Sequence, residues 1–495
     1  MTSRTMLHAL FGAGLACLLA VNVWASDVPP TTEETPTARF NARFSAGDYA
    51  SALPLALATL ELYAKTAPGS PAHLTALLNV GSTQYKLGDF ISAIDSFSAA
   101  VTLATEQYGE TSARAVTPLY SLGMTFLAQQ QPDKAMPLLA RAIALSRRTQ
   151  GLFNEEQLAM SVPLASAYRQ LGMATEVERE EQYAYRTAEV RYGTNHLRLL
   201  PALDRLARWY EESQRPGQAR QLHRRAFTIA SQPGRTQVNG AVRALIGIGR
   251  TYFIEYRDGP EAREPADSSG PGFHFDADAN IPTSMAAGYY LDPQADRPLQ
   301  LAVEIATKAQ KSALQFEALM AYGDYLQVAG KTPQAQLQFA AAAKVRNAQI
   351  TTGELSALDA DPFAAPVLLL LRKPAFAKRY DDRPLEDTDI HQTVATFTVN
   401  AQGEVTQTKI TSSDLSDAHQ RQLQNAVSHA VYRPRNVDGQ AVPTEAVVLT
   451  VVTRSLKAAA KPPAAAPAAP VEPAEPVAPA EPVAPAEPVA PAPQN

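Results

Sequence analysis

This sequence has a single cysteine, Cys17, among its 495 residues. Cys17 lies in the N-terminal apolar stretch "LFGAGLACLLAVNVWA", which follows Arg4 and ends in small residues that suit a signal peptidase. Cleavage after Ala25 leaves a mature chain that can form no disulfide, thiol nucleophile or cysteine metal site. The stretch is short for a bilayer span, so residues 1–25 read as a secretory signal, with retention of residues 7–25 as a membrane anchor the alternative. Gly14 makes a poor match to a lipoprotein cleavage site before Cys17.

Excess positive charge is missing too. Lys and Arg number 44 against 49 Asp and Glu, a net charge of −5 at pH 7 that loss of Arg4 makes one unit more negative. Such a body offers no electrostatic attraction to nucleic acid or anionic membrane. The eight histidines are scattered without metal-ligand spacing. Asp276, Asp278 and Asn280 alternate like the start of a calcium loop, but Ile281 stands where glycine is needed and Ala287 where a bidentate Glu belongs. A Gly-x-Ser-x-Gly elbow, a phosphate-cradling loop and a dinucleotide fingerprint are absent from any strand-to-helix context. Neither enzyme activity nor a cofactor nor a metal is therefore expected. The acids of "EVEREEQ", Glu176 to Gln182, read as a solvated helix face.

What the sequence does contain is a period of 42 residues. Gly81, Gly123, Ala165, Ala207 and Gly249 are evenly spaced; Ala93, Ala135, Val177 and Ala219 follow the first four at a constant interval, and Ala100, Ala142, Ala184 and Ala226 follow in turn. Small residues at fixed intervals let paired helices cross closely and successive hairpins stack. Val80, Leu122, Leu164, Leu206 and Ile248 fill the volume between them, as do Phe126, Tyr168, Tyr210 and Tyr252. Gly88-Asp89, Gln131-Pro132, Gly172 and Pro216-Gly217 mark the corners.

This pattern resembles the tetratricopeptide repeat, in a variant with longer helices, and implies an α-solenoid. Repeats are expected over residues 41–257, after a linker at 26–40, and again over 297–350, where Gly323, Ala335 and Ala342 restore the spacing. Residues 258–296 carry many helix breakers and read as a loop inserted within the fifth hairpin. The first helix of each unit should line a concave groove that includes Lys86, Tyr120, Arg169, Asp204, Arg208, Arg243 and Arg250. The basic members of that set suit an acidic or C-terminal carboxylate peptide.

A linker at 351–365 leads into a strand-rich module at 366–456. "HQTVATFTVNAQGEVTQTKI" alternates about a Gly403 corner and reads as a hairpin. "SDAHQRQLQNAVSHAVY" places Leu423, Ala426, Val427 and Ala430 on one helix face behind a cap at Ser416 or Asp417, and "VVLTVV" makes a last strand. This order, with "FTVNAQGEV" and "AVYRPRNVDGQAVP", resembles the C-terminal domain of TonB-type energy transducers. The resemblance implies a small α+β fold that adds a partner's extended peptide along its last strand, at Val447, Leu449, Val451 and Thr453. Transducers of that type place a Pro-rich spacer before the domain; here the Pro/Ala-rich run, repeating Val-Ala-Pro-Ala-Glu-Pro, follows it as a disordered tail at 457–495. That order argues against coupling to a proton gradient. The sequence thus points to an exported periplasmic adaptor for proteins or peptides of the cell envelope, outer-membrane ones included. A membrane-anchored transducer and a hydrolase with its site in the 258–296 loop are the alternatives.

Overall fold

Helix boundaries fall where short polar side chains can take up orphan amides. Asp48, Ser70 and Asp89 accept hydrogen bonds from the backbone N–H of Ser51, His73 and Ser92, each opening a helix. Gly88 closes one in the left-handed region at φ 80°, where a Cβ would add strain. A computed structural model describes residues 35–258, 293–356, 359–378 and 388–456. The signal segment, the body of the inserted loop and the Pro/Ala-rich tail lie outside them.

The described helices form hairpins in chain order: α1 (Pro36–Ser45) with α2 (Tyr49–Thr66), α3 (Pro71–Leu87) with α4 (Phe90–Tyr108), and α5 (Val116–Ala128) with α6 (Pro132–Gln150). Then come α7 (Glu156–Gln170) with α8 (Ala174–Tyr192), α9 (Leu200–Glu212) with α10 (Pro216–Ala230), α11 (Val238–Asp258) with α12 (Asp296–Lys308), and α13 (Ser312–Val328) with α14 (Thr332–Thr351). Each helix packs on the next, and α11 on α12 despite the long segment between them. First helices also touch the first helix of the following hairpin, α3 on α5, α5 on α7, α9 on α11 and α11 on α13, so they form the inner layer of a solenoid.

The repeated small residue has a steric cause. A Cβ on Gly81 would lie 2.7 Å from the Phe97 ring, on Gly123 2.7 Å from Leu139, on Gly249 2.6 Å from Leu299 and on Gly323 2.5 Å from Phe339. In these four hairpins a large apolar side chain of the second helix fills the notch left by the glycine of the first. Gly123→Val should therefore lower stability by about 2 kcal/mol, read as a drop in the thermal midpoint of the 222 nm signal. An unchanged midpoint would mean that the notch is not close-packed.

Two expected linkers are folded. Pro36 begins α1 and Phe40 is buried against α2, so the first hairpin starts inside the 26–40 segment. In the 351–365 segment Phe363 is buried and meets Phe316 edge-on at 6.2 Å, while Arg346 pairs with Asp361 at 3.6 Å. An aromatic anchor and an ion pair tie that strap to the solenoid.

Beyond the strap lie β1 (Val367–Leu370), α15 (Ala375–Lys378), β2 (Thr388–Val399), β3 (Val405–Ser413), α16 (Asp417–Ser428), β4 (Val431–Arg433), β5 (Arg435–Val437), β6 (Gln440–Val442) and β7 (Thr444–Leu456). The main sheet has the antiparallel order β3-β2-β7, with Ala395 opposite Leu449 and Phe397 opposite Val447; β1 pairs with β4 and β5 with β6. Leu423 and Val427 of α16 pack on Ala395, Phe397, Val399 and Val451, and Ser416 caps the helix. The β5–β6 turn uses positive φ at Asp438 and Gly439. At the β2–β3 corner Gly403 has φ 79°, and a Cβ there would strike the Tyr432 carbonyl.

Candidate functional site

The inner helices α9, α11 and α13 enclose a cavity of about 930 Å³, and Leu369 of β1 lines it from the C-terminal module. Its apolar lining includes Ile246, Phe253, Leu299, Phe316, Met320 and Tyr325. Asp204, Arg208, Glu211 and Glu212 line it from α9, Arg243 and Arg250 from α11, and Glu317 and Asp324 from α13. The structure thus brings together four of the sequence-derived groove residues: Asp204, Arg208, Arg243 and Arg250.

The other three lie elsewhere. Lys86 is half-buried on α3, away from the cavity. Arg169 leans on Glu212 at 2.9 Å and Glu181 at 3.3 Å. Tyr120 is only 2% exposed, packed among core residues of the neighbouring hairpins, and burial pushes its hydroxyl well above the usual phenol range. It presents nothing to a groove.

The basic groove expected from the sequence is corrected as well. The lining holds three arginines and five carboxylates, so its balance is acidic. Each arginine is held by a neighbour, Arg208 by Asp204 at 2.9 Å, Arg250 by Glu211 at 2.7 Å and Arg243 by Glu317 at 4.0 Å. Arg208 and Arg250 are spent within the wall and Arg243 is outnumbered by carboxylates there, which removes the basis for an acidic ligand.

Behind the wall lies a charged network that reading the acids as solvated missed. Where other hairpins place Phe97, Leu139 and Phe339 in the notch, α8 carries Glu181 and α10 carries His223. Both are buried, Glu181 between Arg169 and Arg205, the latter at 2.8 Å, and His223 with Nε2 2.8 Å from Glu211 Oε1. Gly247 makes room for the imidazole, since a Cβ there would strike it. Burial pushes the Glu211 carboxyl up, but the His223 hydrogen bond and the Arg250 charge outweigh it and hold the group below its usual range. Glu180 is buried too, and desolvation raises it despite Arg147 at 3.3 Å. Among the described residues no group of His, Cys, Asp and Glu has the arrangement of a metal site.

The module docks on the solenoid beside the cavity. Arg433 of β4 reaches Asp324 at 3.5 Å, Arg372 lies over the Tyr256 ring at 4.7 Å, and Gln336 Nε2 donates to the Ala401 carbonyl at 3.0 Å. Burial raises the Asp324 carboxyl to about 6, with the Arg433 charge opposing the rise. A folded value above the ordinary carboxylate range means that the stability from Asp324 is fully present below about pH 4. It is lost as pH rises through about 6. The melting midpoint of wild type minus that of Asp324→Asn should therefore fall between about pH 4 and 8; a rising difference would reverse the sign of the effect.

At the other candidate surface, β7 is an edge of its sheet among the described residues. Val447, Leu449, Val451 and Thr453 turn toward the module's interior: Val451 and Thr453 are buried, and Val447 and Leu449 pack on its core. Their side chains pack mainly within the module, a consequence of two-residue alternation. The opposite face carries Val448 at 62% exposure and Val452 at 43%. One carbonyl of the strand is already engaged, Val452 O accepting from Lys373 Nζ at 3.4 Å, and α15 packs beside the strand.

No helix among the described residues is long and apolar enough to cross a membrane. No curated protein matches this chain. Among solved structures it is similar to aspartyl phosphate phosphatase F from Bacillus subtilis, at 12% identity and TM-score 0.38, covering 67% of this chain and 78% of that one. A tetratricopeptide repeat protein from Parabacteroides merdae is similar at 14% identity and TM-score 0.36, covering 63% and 92%. YrrB, a TPR protein with an unusual peptide-binding site, is similar at 20% identity and TM-score 0.29, covering 43% and 91%. Residues 73–148 match the tetratricopeptide repeat family, and the hairpins before and after them continue the same packing as one helical repeat solenoid.

Proposed function

We propose that this chain is a non-enzymatic adaptor of the periplasm, which holds a segment of one partner in the concave cavity and a strand of another along β7. The observation that carries the reading is the cavity itself: an apolar floor, a charged rim in which carboxylates outnumber arginines, and walls of the solenoid with Leu369 of the module beside them. Such a lining desolvates an apolar anchor while leaving polar groups at its mouth to orient the rest of the ligand. The β3-β2-β7 order with α16 across it, and a β7 border that pairs with no further strand among the described residues, support strand addition and the TonB-like reading of residues 366–456. The cleavable character of residues 1–25 supports export.

Two variants separate the surfaces. Ile246→Arg should fill the cavity with charge, and Thr450→Pro should remove an amide from β7. Crosslinking in envelope fractions is expected to yield two sets of partners, one lost with each variant. A single set that neither variant disturbs would overturn the two-surface reading.

A further inference from the structure

Resting on the cavity reading above, we propose that its ligand is a peptide segment carrying a large apolar side chain beside a cationic one, with the apolar group on Met320 and the cation on Glu317. The cavity's carboxylates are unequally neutralised. Asp204, Glu211 and Glu212 each have an arginine nitrogen within 2.9 Å. Glu317 does not: its nearest cation, Arg243, lies at 4.0 Å, and both side chains are about half exposed. Asp324 is engaged from the module, its covered Oδ1 lying 3.5 Å from Arg433, and it adds negative charge to the same wall.

Glu317 shares a helix face with Asp324. Glu317 and Asp324 are seven residues apart on α13, two turns or about 10 Å, with Met320 and Ala321 between them on the same side. An apolar strip beside a loosely held, half-exposed carboxylate is complementary to an apolar side chain with an adjacent guanidinium or ammonium. The lining's excess of carboxylates over arginines acts in the same direction. An acidic segment would meet like charge in excess on the same face.

The test uses three fluorescein-labelled peptides with capped ends, Gly-Ser-Phe-Arg-Ser-Gly, Gly-Ser-Phe-Glu-Ser-Gly and Gly-Ser-Ala-Arg-Ser-Gly, titrated with the full chain by fluorescence anisotropy. The Phe-Arg peptide is expected to bind about tenfold tighter than the Phe-Glu peptide, and tighter than the Ala-Arg peptide. Glu317→Gln, at a half-exposed position that tolerates the change, should shrink the Arg-over-Glu ratio while preserving the Phe-over-Ala preference. Equal or tighter binding of the Phe-Glu peptide would overturn the cation preference, and a ratio untouched by Glu317→Gln would overturn the placement of the cation on Glu317; either result leaves the cavity reading standing. Absence of binding by all three peptides would overturn both.

Discussion

Glu181→Ala is expected to destabilise the solenoid by about 3 kcal/mol, measured as a lower guanidinium chloride midpoint. Glu181 is 2% exposed and is shared by Arg169 and Arg205 from the two flanking inner helices. Removing it leaves two part-buried guanidiniums facing each other across an empty notch. Arg169 keeps Glu212 and Arg205 keeps the Ser161 hydroxyl, which places the loss at the lower end of the range for broken buried pairs. A triple replacement, Glu181→Leu with Arg169→Met and Arg205→Met, should recover most of the stability. The equivalent notches at Gly81 and Gly123 are filled by Phe97 and Leu139, and apolar substitutes for buried ion networks are often neutral or stabilising. A loss below about 0.5 kcal/mol for Glu181→Ala would assign the network no structural part.

Arg433→Ala should cost about 3 kcal/mol and should loosen the module from the solenoid. The Arg433 side chain is 11% exposed, pairs with Asp324, and approaches Met320 Sδ at 3.8 Å. Truncation leaves Asp324 with no opposing charge against its desolvation, so its carboxyl should move further up. Trypsin cleavage within residues 351–378 is expected to accelerate several-fold as the docked state opens more often. Arg433→Met, which keeps the packing but not the charge, should restore protection when combined with Asp324→Asn and not alone. Unchanged cleavage in Arg433→Ala would show that docking rests on Gln336, Arg372 and the strap instead.

Much of this architecture was legible because small residues recur for a steric reason that a period exposes. Gly81, Gly123, Gly249 and Gly323 stand where a Cβ has no room, so their spacing located the hairpins. The same frame contained more of the site than was drawn from it. Ile246 and Met320 occupy the repeat position of Tyr120 and Asp204, and Asp324 that of Arg208 and Arg250. Choosing the arginines from that face, without the carboxylates opposite them, produced the mistaken basic groove. Glu180 and Glu181 were misread because helix amphipathicity assigns carboxylates to water; the notch position shared with Phe97 and Leu139 marks Glu181 as interior. The docking of Arg433 on Asp324, more than a hundred residues apart in sequence, left no local signal. In the module, alternation identified β2 and β7 correctly, but also turned Val447, Leu449, Val451 and Thr453 inward.

The most direct test of the cavity as a binding site is selection of random displayed peptides on the full chain, followed by affinity measurement on wild type and Met320→Arg. An adaptor with this cavity enriches a restricted set of sequences, and the variant binds them at least tenfold more weakly. Failure to enrich any sequence, or equal affinity of wild type and Met320→Arg for those enriched, would contradict it.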